Sequence, residues 1–588
     1  MPRKSGSTVA SSSSTGTTTL TSGAAIGQGY RWPGMAALAD NPAPMFTRAR
    51  VRALAAEWWP ALLGGVAVAG YAVLVVGFGL DFRPLHHDEV VTLHVAGQPS
   101  ASDVLHVAIH DRHGPPLHYL VVHASLDWRH DILGLRLPSA LFGILAVALA
   151  YGCGRELMGR AGGATVAVVT AITPITIHLA QFARGYTAMI ACAYGSLWLM
   201  LVLVRTGRAR WAVAFAVSAL LLVATHPFGL FALASELVLL AGLGGYALAT
   251  KRRGDRWALL AIAAGLALGA GALLWLRHLY SPLQSKYGVG KGGAVVDLTS
   301  QSFWSDLASH VTGSSVPAFW ILVGLAVVAG IVSLAFRDRR AAIVAAVWLL
   351  LPLLLLQVLT AASEDFAPER HLSFLLPGYA IALAGFALEL GRLPGRRRIV
   401  GAVVLAALLT PLLVSGRNDL SNFNADLRDA SLGLAADFGP RDVLLTTAGV
   451  HGPLEDPRLL GAYAVLDAPD QTSLAAWKTV DAASRCGLIR RLGQQRYPQR
   501  AWLIASTKHP LDVAAALDNA GATTSIYGDV VVAVSAPRYT RERSVLYLGT
   551  RLWRQVAVGD SGVRDFRRMA RLYRFAAHLS SAQLCPQG

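Results

Sequence analysis

Apolar runs of about 20 residues recur through the first 415 positions, each bounded by a short polar or basic cluster. A helix of that length crosses about 30 Å of hydrocarbon, so each run predicts a membrane span. The runs fall near residues 59–80, 132–152, 161–179, 186–204, 210–225, 228–249, 257–276, 316–336, 341–360, 372–390 and 398–415. From about Asn418 the pattern changes. Short β-rich runs (Val443-Leu444-Leu445, Trp502-Leu503-Ile504 and Val530 to Val534) alternate with stretches read as helical at 473–483 and 510–520. That alternation predicts a small α/β domain. The expected layout is a disordered cytoplasmic tail over residues 1–56, a transmembrane domain over 57–416 containing a long first loop at 81–131, and an α/β domain over 417–588.

Composition agrees with a polytopic α-helical membrane protein. The chain of 588 residues is 54% hydrophobic and 15% charged, with a mean hydropathy of +0.46. Its net charge of +17 could signal nucleic acid, but the charges sit in short clusters between apolar runs. They alternate with the spans as the positive-inside rule requires. The basic connections are Arg155 to Arg160, Arg205 to Arg210, Lys251-Arg252-Arg253, Arg337 to Arg340 and Arg392 to Arg398. With these inside, eleven spans place the α/β domain outside the cytoplasm of a plasma-membrane protein. Nucleic acid is not expected as a partner. Cys486 and Cys585 would then share the oxidising side, which leaves a disulfide between them open.

The opposite set of connections holds the candidate chemistry. The first loop carries His86-His87-Asp88-Glu89 and His113-Gly114-Pro115-Pro116-Leu117-His118-Tyr119, and nine of the chain's 17 histidines lie between His86 and His130. An adjacent acid pair shielded from water can act as a general base; it can equally cap a helix or face solvent. His106, His110 and His113 have the spacing of one helical face, which allows metal ligation but also describes an interfacial polar face. A divalent cation held by Asp88, His113 and a substrate phosphate is a further expectation. Arg184, Lys286, Arg370 and His371 stand at span ends on the same side. Such groups can grip a phosphate or snorkel to the headgroups.

Four ordered motifs carry a resemblance. They are His87-Asp88-Glu89, His113 to Tyr119, Leu135-Arg136-Leu137-Pro138-Ser139-Ala140 and Gln181-Phe182-Ala183-Arg184-Gly185-Tyr186. With Arg370-His371-Leu372…Pro377 and Asp426 to Ala430, the series resembles the protein mannosyltransferase and aminoarabinose transferase branch of the GT-C glycosyltransferases. Gly114 and Gly185 depart from the family pattern, Gly185 standing where relatives often have Pro.

The resemblance implies a GT-C membrane fold and transfer of a sugar from a polyprenyl-phosphate donor to an envelope glycan, lipid or protein, with inversion, on the outer face. It implies Asp88 as the base, with Glu89 tuning it or touching sugar or metal. Arg184, Arg370, Lys286 and His371 would hold the donor phosphate, and His87, His113, His118, Tyr119 and Tyr186 would line the site. The alternatives are a transporter or flippase of a lipid-linked or envelope substrate, and a metal-dependent membrane phosphotransferase. Intramembrane charge pathways or paired broken helices would mark the transporter; the sequence contains no internal repeat.

Overall fold

A computed structural model describes residues 48–77, 80, 85–110, 114–249, 271, 298, 300–362 and 369–421, and short pieces between 429 and 535. The chain forms two compact units, Met1–Trp59 and Pro60–Gly588. In the first, the described residues are helical; the tail expected at 1–47 lies outside the described residues.

The helices follow the apolar runs. They are α1 (Arg48–Gly77), α2 (His87–Ala96), α3 (Ala101–His110), α4 (Leu117–Trp128), α5 (Ile132–Ile172), α6 (Pro174–Ala180), α7 (Tyr186–Thr206), α8 (Ala209–Thr225) and α9 (Gly229–Ala249). After these come α10 (Gln301–Thr312), α11 (Pro317–Arg337), α12 (Arg339–Ala362), a 3₁₀ helix (Glu369–Leu375), α13 (Leu376–Arg392) and α14 (Arg397–Ser421). Among the described residues, seven helices are long and apolar enough to cross a membrane, with shorter apolar helices at Ala209–Thr225 and Gly229–Gly242. Every expected span coincides with helix except 257–276, of which only residue 271 is among the described residues. The expected spans 132–152 and 161–179 belong to α5, whose helical geometry breaks at Gly159, with φ 76°. A residue with a β-carbon would be strained there. The second of these spans breaks again at Thr173-Pro174, where α6 begins.

The core is built on α7, which is buried along most of its length and packs against α5 and α8. Tyr194, Leu197, Met200 and Leu201 are fully buried there, joined by Ala380, Ile381 and Leu383 of α13. Two arginines of the basic connections pair with acids on neighbouring helices. Arg205 pairs with Glu156 at 2.7 Å and Arg337 with Glu389 at 3.0 Å, which ties the end of α7 to the middle of α5 and the end of α11 to that of α13.

The C-terminal sheet has the order β2-β1-β3-β5-β4. Its strands are β1 (Val443–Thr446), β2 (Thr479–Asp481), β3 (Ala501–Ser506), β4 (Ala522–Tyr527) and β5 (Val530–Ser535). β1 runs parallel to β2 and β3, and β5 pairs antiparallel with both β3 and β4. The three β-rich runs read from sequence are β1, β3 and β5. The stretch 473–483, expected to be helical, instead supplies β2. Its Thr479-Val480 is β-branched, and a parallel partner outweighs the weak helical spacing of its neighbours. Trp502, Val530 and Val532 of the sheet and Ala430 and Leu434 ahead of it share one apolar cluster with Leu85, Val90, Leu93, Leu126, Ile132 and Ala183. The sheet therefore closes over the first loop and the 181–185 turn.

Candidate active site

The first loop folds as three short helices, and α2 sets the site. Its N-cap is His86, whose Nδ1 accepts from the Asp88 amide at 3.1 Å while the His86 amide donates to Glu89 Oε2 at 2.9 Å. Successive residues of a helix point about 100° apart, so the two adjacent acids face different surroundings.

Glu89 turns inward and is 1% exposed. Arg136, equally buried on α5, donates from Nε to Oε1 at 2.8 Å and from Nη2 to Oε2 at 2.7 Å. The Ala183 amide donates to Oε1 at 2.8 Å, and the third guanidinium nitrogen of Arg136 donates to the Leu80 carbonyl at 2.8 Å. With the His86 amide, four donors fill the roughly four lone-pair directions of the carboxylate. Burial alone would raise the Glu89 pKa. The Arg136 charge and the donated hydrogen bonds outweigh it and hold the carboxyl below its ordinary range. The sequence expectation of a catalytic Glu89 therefore meets a group with no lone pair to spare. Glu89 instead links α2, α5 and the 181–185 turn.

Asp88 turns the other way and is 14% exposed. Arg184 Nη2 lies 3.1 Å from its Oδ1, and Arg184 Nη1 donates to the Tyr119 hydroxyl at 3.1 Å. Burial works against the Arg184 charge, but Tyr119, Asp88 and Tyr186 more than compensate and raise its pKa. Burial pushes the Tyr119 phenol up, against the pull of Arg184. Beneath them His118 is buried. Burial first, and the Arg184 charge second, press its pKa down to about 3, so the imidazole is neutral at ordinary pH. A row of rings leads away from the acid: His86 against Phe182 (5.3 Å), Phe182 against Tyr186 (6.2 Å), Tyr186 against His226 (5.0 Å) and His226 against Phe228 (5.5 Å).

Gly185 makes the turn possible. A β-carbon there would lie 2.6 Å from the Thr225 carbonyl oxygen and 3.4 Å from the His118 β-carbon. The turn also receives the Ser139 hydroxyl, which donates to the Arg184 carbonyl at 3.3 Å.

Of the residues singled out in the sequence, Asp88, Glu89, His118, Tyr119, Arg184 and Tyr186 come together here. Arg370 and His371 lie on the backbone of the 3₁₀ helix leading into α13; their side chains, and that of His87, lie outside the described set, as do His113 and Lys286 altogether. Among the described residues no three His, Cys, Asp or Glu side chains gather as metal ligands. Glu89 has its acceptor sites filled and Asp88 is engaged by Arg184, and His113, the second ligand expected for a divalent cation, lies outside the described residues. Arg136 was legible only as part of a motif. Its signal was a charge inside an apolar run, which needs a buried partner.

Comparison with known proteins covers part of the same region. Residues 113–275 match the family model described as dolichyl-phosphate-mannose-protein mannosyltransferase. Among solved structures, the oligosaccharyltransferase AglB of Archaeoglobus fulgidus, in complex with an inhibitory peptide and a dolichol-phosphate, aligns over 77% of this chain and 70% of its own, at 9% identity and TM-score 0.50. ArnT of Cupriavidus metallidurans aligns in the apo state over 82% of this chain and 98% of its own (15% identity, TM-score 0.44). Its undecaprenyl phosphate complex aligns over 81% and 98% (15% identity, TM-score 0.45). No curated protein matches the chain significantly. The chain is thus a multi-pass membrane protein whose fold is similar to that of the oligosaccharyltransferase AglB, and whose residues 113–275 are similar to the dolichyl-phosphate-mannose-protein mannosyltransferase family.

Proposed function

We propose that the chain transfers a monosaccharide from a polyprenyl-phosphate donor to an acceptor hydroxyl of an envelope glycan, lipid or protein, with inversion, at the extracytoplasmic face. The observation that carries this reading is the largely buried Asp88 carboxylate held by Arg184 at 3.1 Å, on a frame that Glu89 and Arg136 lock from behind.

In the proposed step Asp88 accepts the proton of the acceptor hydroxyl as its oxygen attacks the anomeric carbon. The bond from that carbon to the phosphate oxygen breaks, and the electron pair leaves with the polyprenyl phosphate. Protonating Asp88 removes the negative partner of Arg184, so positive charge becomes available as negative charge grows on the leaving phosphate. Arg370, His371 and Lys286 are proposed to complete the phosphate grip, and His87, His113, His118, Tyr119 and Tyr186 to line the site. The AglB structure, of the same fold, holds a dolichol-phosphate, which is the kind of leaving group this chemistry requires.

The test uses the purified protein in bilayer discs with radiolabelled polyprenyl-phosphate sugars and envelope acceptors. Asp88→Asn is expected to fold and to lose at least about 100-fold in turnover, the low end of general-base contributions; near-normal turnover would remove Asp88 as the base. Arg370→Ala is expected to raise the KM for donor, and unchanged kinetics would take it out of the phosphate site. Sidedness is read separately. In a variant with its own cysteines replaced, a cysteine at 420 should react with an impermeant reagent from outside, and labelling from inside alone would invert the topology.

A further inference from the structure

The end of the bundle where α11 runs into α12 and α13 into α14 concentrates charge that the acid site does not use. Residues 333–340 and 386–401 hold seven arginines against two acids, Asp338 and Glu389. Arg337, Arg339, Arg340, Arg392 and Arg396 to Arg398 are all exposed. The two acids offset little of this. Asp338 Oδ1 accepts from the amides of Arg340 and Ala341, both at 3.1 Å, and Glu389 is divided between Arg337 at 3.0 Å and Arg392 at 3.5 Å.

Orientation in a membrane requires only that basic residues lie on one side. It does not require that they be drawn together, and here they are. Both α11 and α14 pack on α13. A β-carbon on Gly385 would meet the Leu334 side chain at 2.6 Å, and one on Gly401 the Leu390 carbonyl oxygen at 2.8 Å. At that approach Arg337 and Arg392 reach the two oxygens of one carboxylate, and Arg398 Nε donates to the Leu393 carbonyl, next to Arg392, at 2.8 Å. Like charges held so close repel, and an anion among them relieves the repulsion.

We propose that this arginine cluster binds the headgroup of an anionic phospholipid from the adjoining leaflet. Guanidinium forks match phosphate oxygens bidentately, and anionic lipids gather at basic residues beside membrane spans. The neighbours of the arginines decide between a lipid and a soluble anion. Phe336, beside Arg337, is 87% exposed, and Ile399, beside Arg398, is 66% exposed. Both stand on helices long enough to span the membrane. A phospholipid engages both surfaces, its phosphate on the arginines and its acyl chain along Phe336 or Ile399, whereas free phosphate or a nucleic acid would touch the charges alone. The site does not depend on the proposed transfer reaction, since none of its residues belongs to the acid site.

Purified protein stripped of lipid in a non-ionic detergent is titrated with phosphatidylglycerol and with phosphatidylcholine of the same chains, and bound lipid is counted by native mass spectrometry. Phosphatidylglycerol is expected to bind at least about fivefold more tightly, the worth of one basic residue at an anionic surface, and raised ammonium acetate should shrink the preference. Arg396→Gln, Arg397→Gln and Arg398→Gln together are expected to abolish it while leaving phosphatidylcholine binding unchanged. A second variant, with Arg155→Gln, Arg160→Gln and Arg208→Gln, removes the same charge from other basic connections and is expected to keep the preference. Equal binding of the two lipids by the wild-type protein, or a preference retained by the first variant, would overturn the assignment. Equal loss in both variants would replace the site with a general attraction of net charge. Displacement of phosphatidylglycerol by inorganic phosphate at the same concentration would overturn the lipid as the source of the anion, and displacement by a short RNA oligomer would overturn the class of partner. Because every readout is bound lipid, an inactive protein that still prefers phosphatidylglycerol would count against the transferase reading and not against this site.

Discussion

Asp88 and Glu89 are neighbours in sequence with unlike surroundings, and the difference yields separate consequences for stability and turnover. Arg136 and Glu89 are both 1% exposed. Removing one member leaves the other charged and unpaired in the interior, at a cost of about 3–5 kcal/mol. Arg136→Ala and Glu89→Gln are therefore expected to lower the thermal midpoint of the detergent-solubilised protein sharply, whereas Asp88→Asn should leave it nearly unchanged. Equal melting of all three would mean the buried pair does not hold the loop. A pH dependence follows as well. The unfolded His118 titrates at its ordinary 6.5 and the folded one at about 3, so between those values the unfolded chain binds more protons and stability falls as pH drops. Glu89, whose folded pKa is lowered, adds its own loss only as pH falls below the ordinary carboxylate value of 4.5. Between pH 6.5 and 4.5 the melting curve of His118→Phe should thus be flatter than that of the wild type; parallel curves would show that His118 is not the titrating group.

At the scale of elements, the turn between α6 and α7 converts local geometry into site geometry. Gly185 lies 2.6 Å, measured from its missing β-carbon, from the Thr225 carbonyl oxygen. Gly185→Ala must therefore push the turn away from α8, and Arg184 with it. The expected result is a fall in kcat of at least about tenfold with a smaller loss of stability, since a misplacement of about 1 Å can cost about 100-fold in rate. A variant with unchanged kcat would show that the turn tolerates the shift. This contact also gives a physical reason for the departure at 185, because proline carries the same β-carbon. Span positions were legible because hydrocarbon thickness imposes a run length that any helix must obey. The kink at Gly159 was not, since one glycine among many apolar residues leaves the run uninterrupted. The partnership of Glu89 with Arg136 spans 47 positions and has no local signature beyond a charge inside an apolar stretch. β2 was misread because three residues that gain a parallel neighbour carry little preference of their own.

Over the whole molecule, the sheet and the first loop share one apolar cluster, so the α/β domain bears on the site although none of the Asp88 contacts described above comes from it. Ala183 belongs to that cluster, and its amide donates to Glu89; Leu85 precedes the His86 cap. Trp502 is 5% exposed and packs there from β3, with Val530 and Val532 beside it from β5. Truncating a buried tryptophan to alanine costs about 3–5 kcal/mol in a well-packed core. In this setting the loss falls on the contact between the sheet and α2 rather than on the helical bundle, whose core lies in a separate cluster around α7. Trp502→Ala is therefore expected to speed amide exchange across residues 85–96 and 181–185 while leaving protection of α7 and α13 unchanged, and to lower kcat without removing donor binding. Unaltered exchange in the first loop would mean that α2 and the turn hold their places through Glu89 and Arg136 alone. Faster exchange throughout the bundle would mean instead that the sheet stabilises the whole membrane domain, and the loop would lose its standing as the part the sheet controls.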